Sequence, residues 1–105
     1  MSLFRQLLDT FKSKPQRSRD FERDAEKYFA NSSNWTSVHS SWCQRIAWFA
    51  YYDYPNAGLL RVLTRDGVTL EYPNINKAVW DLFLSASSKG KFAHRYLWTR
   101  EYRVV

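Results

Sequence analysis

The sequence predicts an α+β domain: a small antiparallel sheet of three to four strands, built on a β-hairpin, packed on a helix and preceded by two N-terminal helices. Three observations carry that expectation. Apolar residues recur at helical spacing before residue 30 and again after residue 76. Between them the chain turns β-branched and aromatic from Ile46 to Tyr54, with two further alternating runs beyond it. Turn formers, Pro55-Asn56-Ala57-Gly58 and Asp66-Gly67, punctuate those runs. With 105 residues the chain is one body by length, divided here into an N-terminal helical extension (1–37) and an α+β domain (38–105).

Ser2 can cap a first helix in which Leu3, Phe4, Leu7, Leu8 and Phe11 form one stripe. About a dozen residues make a marginal helix in water, so this one is expected at an interface. Its own domain, a second copy of the chain (a homo-oligomer) and a membrane surface are the three targets. Weak positive charge and the lack of Trp on the stripe argue against the last. Pro15 ends this helix within a basic connector. A second helix follows from about Arg19, capped by Ser18, with Phe21, Ala25, Tyr28 and Phe29 on one face. Asp20 with Arg23, Arg23 with Glu26 and Asp24 with Lys27 stand at i+3 on its outer side, as solvent-facing pairs.

The hairpin at Gly67 admits two registers. A two-residue loop would set Val62 opposite Glu71 and mix polar with apolar residues on both faces. A three-residue loop, Arg65-Asp66-Gly67 with Gly67 left-handed, pairs Thr64 with Val68, Val62 with Leu70 and Leu60 with Tyr72. One face becomes apolar and Arg61 meets Glu71 on the other. Register follows the face that can be buried, which selects the three-residue loop. Asn76 caps a third helix with Val79, Leu82, Phe83 and Ala86 inward, and Gly90 is placed to close it in the left-handed conformation. Leu60, Val62, Val68, Leu70, Tyr72, Val79, Leu82 and Phe83 are the expected core. The tail is expected to add a short strand.

Charge is unevenly spread. Residues 1–37, 38–83 and 84–105 net +2, 0 and +4, so most of the +6 excess lies in the last 22 residues. There Ser88, Lys89, Gly90, Lys91, Arg95, Arg100 and Arg103 are interleaved with Phe92, Tyr96, Trp98 and Tyr102. Basic side chains among aromatics suit a phosphate-bearing ligand with a flat ring to stack. A small residue and a glycine at Ser88-Lys89-Gly90-Lys91 could also converge backbone N–H groups on an anion.

Catalytic patterns are missing from the sequence. With 3 glycines there is neither a Walker loop nor a dinucleotide fingerprint. His94 is the best acid–base candidate, but only Glu101 lies near it in sequence, and it reads as a solvated or stacking ring. Cys43, the single cysteine, has no Gly-rich elbow and reads as a structural residue in a reducing compartment. His39 and His94 have no partner at ligand spacing, so no metal and no cofactor are expected. Without an apolar run of roughly 18 residues or a secretory signal, the chain is expected to have no membrane span and to be cytoplasmic.

Ser40-Ser41, the aromatic strand at Tyr51, the hairpin with Gly67, then Tyr72, Val79, Ser88-Lys89-Gly90-Lys91-Phe92 and a late Tyr102 appear in an order that resembles the KTSR domain. That family is a short module found alone in bacterial and phage proteins and fused to some lysyl-tRNA synthetases. The resemblance spans about residues 38–103. The family's central Tyr-x-Tyr stands here as Leu70-Glu71-Tyr72. It implies a hairpin-plus-helix module without an established reaction, with RNA as the suspected ligand through the synthetase fusion. Two functional expectations follow. The first is a non-enzymatic module binding nucleic acid, RNA above all, through the basic-aromatic tail. The second is a small phage-type accessory or inhibitor protein that sequesters a nucleotide signal or blocks a host protein.

Overall fold

The computed structural model describes residues 17–105. The interface helix expected at Leu3, Phe4, Leu7, Leu8 and Phe11 lies outside the described residues. Five strands form one antiparallel sheet in chain order: β1 (Thr36–Ser37), β2 (Cys43–Ala50), β3 (Ala57–Thr64), β4 (Thr69–Asn76) and β5 (Arg103–Val104). Helix α1 (Arg19–Ala30) precedes them, and α2 (Lys77–Ser85) and the short α3 (Lys89–Phe92) lie between β4 and β5. The tail strand was expected; β1 is the addition, pairing Thr36 with Ile46 and Ser37 with Arg45.

Local signals account for most boundaries. Ser18 Oγ accepts from Phe21 N at 3.1 Å and opens α1. Asn76 Oδ1 accepts from Ala78 N at 2.7 Å and opens α2. The hairpin has the register that its apolar face selects, with Leu60 opposite Tyr72, Arg61 opposite Glu71 and Val62 opposite Leu70. Thr64 N donates to Val68 O at 2.8 Å, and Gly67 closes the loop at φ +87°.

Strand β2 starts at Cys43 and stops at Ala50, whereas β-branched composition places it over Ile46–Tyr54. After Ala50 the chain bends at Tyr52-Asp53, and Ala57 returns an acceptor to Tyr51 N at 2.9 Å. Gly58 is therefore a buried strand residue and not part of the turn. A Cβ there would lie 2.3 Å from Phe49 O, so only glycine lets β2 and β3 close at this point. We expect Gly58→Ala to cost about 1–3 kcal/mol by overpacking, read as a lower denaturation midpoint; an unchanged midpoint would contradict the close approach.

Strand β4 carries one extra residue: Tyr72 faces Leu60 but Ile75 faces Gly58. Asn74 takes φ +59° in that bulge, a conformation asparagine tolerates, and its N–H donates to Tyr51 Oη at 3.0 Å. Ile75 thereby joins Tyr72 on one face.

Both faces of the sheet are covered. On one, Ile46, Leu60, Val62, Tyr72 and Ile75 pack with Phe83 of α2 and with Phe92, Ala93 and Leu97. On the other, Phe21, Ala25 and Phe29 of α1 bury Ala47, Tyr51, Ala57 and Leu59. Two core expectations need correction. Leu82 is 53% exposed, because the phase of α2 turns Val79, Trp80 and Phe83 inward. Val68, beside the hairpin turn, is half-buried and outside the cluster. Among the described residues no helix is long and apolar enough to cross a membrane.

Candidate nucleic-acid interface

The basic-aromatic segment begins where α2 ends. Ala86 is extended at φ −64°, ψ 129°, and stops the helix. Lys89 then folds back: its Nζ donates to Leu84 O at 3.1 Å and also to Ala86 O, and the residue is buried. A lysine that satisfies the last carbonyls of a helix is a cap with its charge well placed. Ser88 opens α3, its Oγ accepting from Lys91 N at 3.2 Å. Gly90 thus sits inside a helix, and among the described glycines the left-handed one is Gly67. This corrects the left-handed closure expected at Gly90.

Helix α3 widens into a π-helical turn over Ala93–Leu97, with Trp98 N donating to Ala93 O at 2.8 Å. Phe92 belongs to the core: its ring stacks on Phe83 at 4.9 Å and meets Tyr96 at 4.7 Å. It offers no stacking surface to a ligand, and the same holds for Lys89 as a charge. The outward side presents Lys91, His94, Arg95 and Trp98, with Trp98 63% exposed. The rings of His94 and Trp98 lie 5.4 Å apart, and Arg95 extends over the half-exposed Tyr96 ring at 5.6 Å. Arg100 Nε donates to Tyr96 O at 2.9 Å. Among the described residues Lys91, Arg95 and Arg100 form no ion pair, whereas Arg17, Arg23, Arg61, Lys77 and Arg103 all do.

Arg103 is drawn to the other face of the sheet. Its Nε donates to Glu71 Oε2 at 2.8 Å, and Arg61 Nε donates to Glu71 Oε1 at 2.9 Å. Arg17 approaches the same carboxylate at 3.6 Å. Arg61 also binds Glu26 of α1 and lies over the Phe29 ring at 4.4 Å. Glu26 therefore pairs with Arg61 of the sheet instead of with Arg23 along the helix. Burial pushes the Glu71 carboxyl up, but the hydrogen bonds and charges of Arg61 and Arg103 outweigh it and hold the group below the usual carboxylate range. Register alone put Arg61 opposite Glu71; the pair's burial depends on α1, which no local pattern reveals. Cys43 is fully buried and burial pushes its thiol up, which suits an inert structural residue. Among the described residues no group of three or more His, Cys, Asp or Glu could hold a metal ion.

The class defined by this architecture is a small α+β module, a five-stranded meander with helices on both faces. Among solved structures it is similar to a KTSC domain protein from Yersinia pestis, with a TM-score of 0.58 and 24% identity over 68% of this chain and 94% of that one. At that identity the likeness is one of fold. No family model matches the chain, and no curated protein matches it.

Proposed function

We propose that this chain is a non-enzymatic module that binds RNA in single-stranded form through the outward side of residues 91–100. What supports the reading is the company Trp98 keeps: an indole 63% exposed stands on the same helical surface as Lys91 and Arg95, with Arg100 just beyond, and none of the three has a carboxylate partner among the described residues. A buried tryptophan would be core, and a paired arginine would be scaffold. An exposed ring amid free cations suits an unstacked base and the phosphates beside it. Lys89, Phe92 and Arg103 act as scaffold in this reading. A buried free thiol at Cys43 suits the reducing cytoplasm.

Titration of a short fluorescent RNA at several salt concentrations tests this. Trp98→Ala should lose about 1–3 kcal/mol of binding, the worth of one base stacked on an aromatic ring. Lys91→Ala with Arg95→Ala should flatten the salt dependence by about 0.7 in log–log slope per lost phosphate contact. If both variants bind like the parent, with the parent's slope, the surface is not the interface. Saturation by a mononucleotide, indifferent to polymer length, would replace RNA by the sequestration of a nucleotide signal.

A further inference from the structure

On the α1 side of the sheet, one row of residues beyond the end of the helix is only half-buried. Arg45 of β2 stands opposite Leu63 of β3, Leu63 stands opposite Thr69 of β4, and Thr69 O accepts from Val105 N at 3.0 Å beyond β5. Helix α1 covers the neighbouring row, Ala47, Arg61 and Glu71, and ends at Ala30. The result is a cleft of about 280 Å³, with Phe29 and Trp35 in its wall and Leu63 and Val105 on its floor. Trp35 is held in place: its Nε1 donates to Phe29 O at 2.7 Å. Arg45 lies over the Trp35 ring at 5.3 Å. The two arginines of the cleft differ in one respect. Arg61 is engaged by Glu26 and Glu71, while Arg45 forms no ion pair among the described residues.

We infer that this cleft binds a small organic anion, a carboxylate or phosphate monoester on a compact apolar body. The head group would meet the Arg45 guanidinium and the body would lie on Leu63 and Phe29. A guanidinium held near an indole face and without a carboxylate partner among the described residues can offer its N–H fork to two oxygens. The lining combines apolar groups with polar ones, Ser32, Arg61 and Thr69 beside Arg45, and the volume, just below the usual ~300–1,000 Å³ range of ligand sites, restricts it to small molecules. The site is on the opposite face from residues 91–100 and does not rest on the RNA reading.

The test is a titration of the ¹⁵N-labelled full chain with benzoate, phenyl phosphate, benzyl alcohol and inorganic phosphate, following each indole N–H resonance. Benzoate or phenyl phosphate, at millimolar concentration, should shift the Trp35 indole saturably and leave Trp98 unmoved; the tighter of the two identifies the preferred head group. Benzyl alcohol lacks the charge and inorganic phosphate lacks the body, so each should bind more weakly. Arg45→Gln should weaken binding by about tenfold or more, as expected for the loss of a charge-assisted pair, and Arg45→Lys, which keeps the charge without the fork, by less. The inference is overturned if neither aromatic anion saturates, if the shifts fall on Trp98 instead, or if a folded Arg45→Gln protein binds as the parent does.

Discussion

Glu71→Ala should destabilise the protein by about 3 kcal/mol, the lower part of the ~3–5 kcal/mol range for breaking one side of a buried ion pair. The mechanism is the stranding of Arg61, whose side chain is 8% exposed and would keep only Glu26. Arg103 and Glu26 are more than half exposed and can turn to water, which keeps the cost from rising further. Joint replacement by Arg61→Met and Glu71→Leu should recover most of the loss, since an apolar pair removes the orphaned charge. The same carboxylate sets a pH dependence. Its pKa is lowered in the folded state, so its contribution is present in full above the ordinary value of 4.5 and is lost as pH falls through the native one. Denaturant titrations of parent and Glu71→Gln should therefore converge on acidification. A gap that stays constant from about pH 7 to pH 3, or a Glu71→Ala cost under about 1 kcal/mol, would remove this account.

Phe21→Ala should cost about 3–5 kcal/mol, the usual loss for a fully buried phenylalanine. Phe21 is 0% exposed and meets the rings of Phe49, Tyr51 and Tyr52 at 5.3, 5.4 and 5.2 Å. Tyr52 is further tied to α1 through Asp24. If α1 folds with the sheet, circular dichroism and tryptophan fluorescence should report one transition, shifted as a whole in the variant. Two separate transitions, with only the earlier one moved, would make α1 a detachable appendage.

The hairpin was legible because alternation leaves only one register with a face fit for burial, and Leu60, Val62, Leu70 and Tyr72 share it. The caps at Ser18 and Asn76 were legible because a cap is a local contact. What escaped was long-range. Arg61 and Glu71 on the polar face look like solvent-facing residues until α1 is laid over them, and the partners of Glu71 include Arg103, 32 positions away. Gly90 escaped for another reason: Ser-Ser-Lys-Gly can end one helix or begin the next, and only the position of Lys89 Nζ beneath α2 decides. Within the candidate interface, composition marked Lys91, Arg95, Trp98 and Arg100 alongside Lys89 and Phe92. Their separation into surface and scaffold needs the helical phase and the core beneath it. The row at Arg45 carried no sequence signal, since a single arginine in a strand resembles any other.

The bulge in β4 has a consequence for how molecules of this protein meet each other. A sheet grows by recruiting a stranger's strand onto free N–H and C=O groups, and β4 extends past its two-residue neighbour β5 by several positions. Along that stretch Pro73 has no N–H, and the N–H of Asn74 is already taken by Tyr51. A strand arriving beside Pro73 and Asn74 meets a gap in the ladder where regular pairing would have to begin. The kink that turns Ile75 into the core thus also blunts the sheet's margin, a guard against end-to-end polymerisation that requires no charged residue at the spot.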